Sequence, residues 1–104
     1  MARKDRTAEV ALARAALVVA AMRRSLLTYG ELGRAIGFEG VALRNELRHV
    51  LDDLSADCIA RREPSLAALV VNQDTGAPGQ GWHDGPGMTW AAEVRDCYTH
   101  WPPV

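Results

Sequence analysis

Arg44, Asn45, Arg48 and His49 lie close together in the chain and are the residue types that read nucleic acid. A guanidinium fork matches a guanine edge or a phosphate, and a carboxamide matches adenine. Arg23, Arg24 and Arg34 lie upstream and Arg61 and Arg62 downstream, where each could neutralise a phosphate. Arg23 and Arg24 serve equally well as cations at the negative end of a preceding helix. Glu46, Asp52 and Asp53 oppose this chemistry, so only the front half of a helix carrying Arg44 to His49 is expected to enter a groove. Asp57 and Glu63 are placed to neutralise Arg61 and Arg62. A further polar group, Asn72-Gln73-Asp74-Thr75-Gly76, combines turn residues with side-chain amides that could probe a groove, or simply closes a hairpin.

Other chemistry has little to work with. His49, His83, His100, Cys58 and Cys97 share no metal-ligand spacing, so neither a metal nor a cofactor is expected. No serine stands in a nucleophile elbow and no phosphate-binding loop is present, so catalysis is not expected. Trp90, Tyr98 and Trp101 could stack on bases, but their helical spacing reads first as core packing or a dimer seam.

The elements that must position these residues follow from periodicity and caps. Thr7 is expected to cap a helix over about Ala8–Leu27, apolar around so much of its circumference that later elements or a second copy should enclose it. Thr28-Tyr29-Gly30-Glu31 is a capping box, opening a short helix through Ile36 that stops at Gly37. After the turn Phe38-Glu39-Gly40, a helix over about Val41–Ser55 places Leu43, Leu47, Val50, Leu51 and Leu54 on one face. Its opposite face carries Asn45, Arg48, His49 and Asp52, with Arg44 at the edge. Two helices joined by a short glycine-containing turn form a helix-turn-helix signature. The run Leu66–Asn72 reads as a strand that turns at Gln73–Gly76 and returns through Ala77–Trp82 as a short wing. His83–Gly87 is a linker, and a last helix over about Thr89–His100 ends at Pro102-Pro103. The whole is one mainly α (α+β) domain over residues 1–104: a three-helix core at 7–55, a wing hairpin at 66–82 and an extra C-terminal helix at 88–101.

The stretch from Leu26 to Trp82 resembles the DNA-binding domain of the alkylguanine-DNA alkyltransferases and their catalytically dead relatives, the alkyltransferase-like proteins. Thr28-Tyr-Gly-Glu-Leu-Gly-Arg-Ala-Ile-Gly37 is similar to that family's Ser-Tyr-Gly-Glu-Leu-Ala helix start and closing glycine. The resemblance implies a winged helix-turn-helix. It also implies that Tyr29 lies against a phosphate backbone and that Arg44 approaches the base stack. The family's reactive Pro-Cys-His-Arg is replaced here by Asn72-Gln73-Asp74, and the interval from Arg44 to the strand is longer by about ten residues, so alkyl transfer is not implied.

Composition sets the remaining bounds. At 104 residues, with 48% hydrophobic and 24% charged residues, the chain is sized for one globular domain, whose function is expected at a shallow surface. The net charge of −1 gives no general attraction to polyanions. Yet residues 1–50 hold nine basic and five acidic residues, and residues 51–104 hold three and eight. One end could therefore face nucleic acid while the other repels it. Arginine in place of lysine at all basic positions but Lys4, with abundant Ala, Val and Gly, fits a GC-rich coding sequence of the actinobacterial or phage kind. The apolar run Ala15–Met22 is too short for a membrane span, and a cytoplasmic protein with reduced thiols is expected. The expected partner is duplex DNA, which a small regulator or accessory factor of DNA metabolism would bind. The alternative, favoured by the acidic C-terminal half, is a protein partner or a homodimer.

Overall fold

A computed structural model describes residues 5–78 and 89–103, so the expected linker at 83–87 and the returning wing residues beyond Pro78 lie outside the described residues. The chain is mainly helical with a small parallel sheet. Helix α1 spans Thr7–Met22, strand β1 Leu27–Thr28, α2 Tyr29–Ala35, α3 Gly40–Ala60, β2 Val70–Val71 and α4 Trp90–His100. A single 3-10 turn, Leu66–Leu69, leads into β2.

Helix α1 begins and ends differently from the periodicity reading. Thr7 is the first helical residue and Arg6 the N-cap, with no side-chain cap, while Asp5 Oδ1 just ahead of it accepts from the Thr7 amide at 2.9 Å and the Thr7 hydroxyl at 2.6 Å. The helix stops at Met22 rather than Leu27. Arg24 adopts φ 55° and the Ser25 amide reaches back to the Ala20 carbonyl at 2.8 Å, a Schellman closure. Tertiary pairing supplies the reason, because Leu27 and Thr28 pair in parallel with Val70 and Val71. Ala13, Leu17, Ala20 and Ala21 are buried, but Leu12 and Val19 are half exposed, so the described elements enclose only one side of α1.

The capping box forms as its spacing dictates. Thr28 Oγ1 accepts from the Glu31 amide at 3.1 Å, and Glu31 Oε1 accepts from the Thr28 amide at 2.9 Å. Gly37 closes α2 at φ 90°, where a side chain would be strained. At Gly33 a Cβ would overlap Leu43 Cδ1, so this glycine sets how closely α2 and α3 approach. Leu47, Val50, Leu51 and Leu54 are buried along α3. The helix runs on to Ala60 rather than ending at Ser55, because Cys58, fully buried, continues the same apolar row.

The expected strand over Leu66–Asn72 is largely a 3-10 turn. Leu66, Ala68 and Leu69 all bury, which an alternating strand could not achieve, and only the β-branched pair Val70-Val71 is extended. The chain then turns tightly, the Gly76 amide donating to the Asn72 carbonyl at 2.8 Å and the Asn72 amide to the Ala77 carbonyl at 2.8 Å. An antiparallel bridge joins Val71 to Pro78. Helix α4 is capped by Thr89, whose Oγ1 accepts from the Ala92 amide at 3.2 Å. Val94, Tyr98 and Trp101 pack on the core, Cys97 lies within it, and Trp90 Nε1 donates to the Ala68 carbonyl at 2.7 Å. The α4 aromatics that could have stacked on bases are thus engaged within the fold.

Candidate nucleic-acid interface

Helix α3 positions the central candidates. Asn45 and Arg48 are exposed and His49 is half buried, opposite the buried row Leu47, Val50, Leu51 and Leu54. Among the described residues Arg48 has no ion-pair partner. Arg44 belongs to the same helix, but its side chain lies outside the described residues. Asp52 is exposed one turn beyond Arg48, on the same face. Asp53, by contrast, is half buried and lines a cleft on the other side of α3, so the two neighbouring aspartates act on different surfaces.

The parallel register brings two further groups together. Tyr29 follows Thr28 and Asn72 follows Val71, so both leave the same end of the strand pair. Asn72 and Gln73 are exposed there, whereas Tyr29 is half buried and packs against the core. Arg34 is exposed on the outer side of α2. Arg23 and Arg24, both exposed, lie beyond the other end of β1, where Tyr98 Oη donates to the Ser25 carbonyl at 3.2 Å.

Arg61 stands apart. It follows the end of α3, about 20 Å along the axis from Arg48, and pairs with Asp57 at 3.2 Å. Asp57 therefore neutralises Arg61 as the spacing suggested, but Glu63 is taken by a residue the sequence reading passed over. Arg14 Nη2 donates to both Glu63 oxygens at 2.7 Å, and this bond raises the already high Arg14 pKa. Arg14 Nη1 is buried without a hydrogen bond, 3.7 Å from Asp57 Oδ2.

Arg14, Asp57 and Arg61 line an open cleft of about 740 Å³ between the first half of α1 and the last turns of α3, together with Asp5, Arg6 and Asp53. Arg6 is held there by Glu46 at 3.2 Å. The cations of this cleft are matched by carboxylates, so it offers an anion no net attraction.

Glu93, only 5% exposed, was equally invisible to periodicity. Its carboxylate accepts from the Ser65 amide at 2.9 Å, tying α4 to the loop before the 3-10 turn. Cys97 Sγ donates to the Ser65 carbonyl at 3.3 Å. Burial, reinforced by Glu93, pushes the Cys97 thiol up to about 12, and burial likewise raises Cys58. Both sulfurs are therefore held as neutral thiols near neutral pH. No family, curated protein or solved structure matches the chain.

Proposed function

We propose that this chain is a non-enzymatic DNA-binding protein in which α2 and α3 act as the helix-turn-helix of a winged helix. The observation that carries this reading is the solvent face of the front half of α3. There Asn45 stands exposed and Arg48 is exposed with no ion-pair partner among the described residues, while the cations of the α1–α3 cleft are paired. Arg48 and Arg44 would supply base or phosphate contacts with Asn45 and His49. Arg34 would touch the backbone from α2, as first helices of such pairs do. Asn72 and Gln73, on a short exposed turn, would serve as the wing. The likeness of Thr28–Gly37 to the alkyltransferase helix start supports the same reading and puts Tyr29 beside the backbone. Arg23 and Arg24 would add phosphate contacts at the far end of β1. Arg61, paired to Asp57 on another side, contributes least. A small regulator or accessory factor of DNA metabolism is the role that fits.

A second reading has its own observation. Val41 and Ile59, 70% and 74% exposed, share the stripe of Asn45, Arg48 and Asp52 along α3. Apolar residues at both ends of a polar helix face suit a protein partner better than a phosphate backbone.

Titration of a labelled random duplex at two salt concentrations tests the first reading. Three to five phosphate contacts give a log–log slope of roughly −3 to −4.5. Asp52→Lys decides between the two readings. It should tighten DNA binding, because the carboxylate lies beside Arg48 and repels phosphate. It should weaken a complex with a protein docked on that stripe through Asp52. Unchanged DNA affinity would remove α3 from the interface.

A further inference from the structure

The outer side of α1 carries a repeat that the described elements leave uncovered. Ala8, Leu12, Ala15, Val19 and Met22 alternate four and three residues apart, the spacing that keeps one stripe facing a partner helix. Leu12 is 50% exposed and Val19 53% exposed, while Ala8 and Ala15 are exposed as well. Alanine at the centre lets a second helix approach closely.

The flank of this seam identifies the occupant. Glu9, Ala16 and Arg23 follow one another at seven-residue intervals along one edge, acidic at the start of α1 and basic just past its end. We infer that α1 is the interface of a homodimer in which two copies of the helix pack antiparallel across a two-fold axis. In that arrangement the edge faces its own copy. Glu9 then meets the partner's Arg23 and Arg23 meets the partner's Glu9, with Ala16 at the centre. The two helix dipoles also oppose each other. A parallel pair would instead set this edge against the Ala11 and Val18 side of the partner, which carries no charge. The seam is about 24 Å long, so it buries less than the roughly 800 Å² per partner of a standard interface. The dimer is accordingly weak and concentration-dependent. This inference does not depend on DNA binding.

Sedimentation of the full chain over a range of protein concentrations, without nucleic acid, tests it. The wild type should associate to a dimer, more weakly at high salt. Leu12→Glu should weaken association by about a hundredfold or more while circular dichroism stays unchanged, since the side chain is half exposed in the monomer. Glu9→Arg alone and Arg23→Glu alone should each weaken it by roughly three- to thirtyfold, because each disturbs two symmetric pairs. The double variant Glu9→Arg/Arg23→Glu should recover most of the loss. A chain that stays monomeric at every concentration overturns the inference, as does a dimer that survives Leu12→Glu. Failure of the double variant to recover also overturns it, and that arm decides even where Leu12→Glu disturbs the helix.

Discussion

Arg24 and Arg62 hold the backbone at φ 55° and 58°, a conformation that costs a residue with a Cβ about 1 kcal/mol. Each occupies the position after a helix where glycine is the usual choice, and each closes its helix by the same reach-back bond, Ser25 to Ala20 and Glu63 to Cys58. Nothing in the sequence marked these turns, because arginine is not a residue that announces a left-handed stop. Arg24→Gly and Arg62→Gly should each therefore stabilise the fold by about 1 kcal/mol in chemical denaturation. If Arg24 also contacts phosphate, Arg24→Gly should weaken DNA binding while raising stability. A loss of stability in either variant would mean that the side chain earns its place through packing.

At the scale of elements, the start of α2 is the clearest device in the molecule. Thr28→Ala should destabilise by about 1 kcal/mol, since the Glu31 amide loses its acceptor. Glu31 adds a pH dependence. Bonds from the Thr28 amide and then the Thr28 hydroxyl hold its carboxyl below the ordinary 4.5. Its contribution is present above that ordinary value and is lost as pH falls through the lowered folded one. Glu31→Gln should therefore flatten the acid limb of a stability–pH curve below 4.5. An acid limb identical to wild type would show that the box does not persist in solution. The neighbouring α2–α3 crossing depends on Gly33 in a way that spacing alone did not disclose, because only packing brings Leu43 onto that glycine.

The whole molecule determines the behaviour of the two thiols. Cys58 and Cys97 come from different helices and meet the same core, both fully buried. Desolvation raises both, so stability is intact below the ordinary thiol value of 9 and falls as pH rises above it, for Cys97 up to about 12. Alkylation should follow global unfolding, with neither thiol modified in the native protein and both modified together in denaturant. Rapid native-state labelling of Cys97 would show that α4 opens independently of the core. Cys97→Ser should keep the bond to the Ser65 carbonyl and leave the DNA binding we propose unaltered.

The sequence by itself determined the elements whose signals are local. The α2 start was legible because a capping box needs only residues three apart. The buried face of α3 was legible because helical spacing alone assigns Leu47, Val50, Leu51 and Leu54 to one side. The mainly helical α+β class and the existence of α4 followed from the same kind of signal. Tertiary structure decided what depends on residues far apart in the chain. It ended α1 early, because pairing Leu27 with Val70 outweighs the propensity to continue. It turned Leu66–Leu69 into a 3-10 turn, which buries Leu66, Ala68 and Leu69 together where an alternating strand could not, and so short an apolar run has no period to read in the sequence. It separated Asp52 from Asp53 and Arg61 from Arg48, and it joined Arg14 to Glu63 across 49 residues. Charge pairing and burial are properties of surfaces, and a surface exists only once the helices have packed.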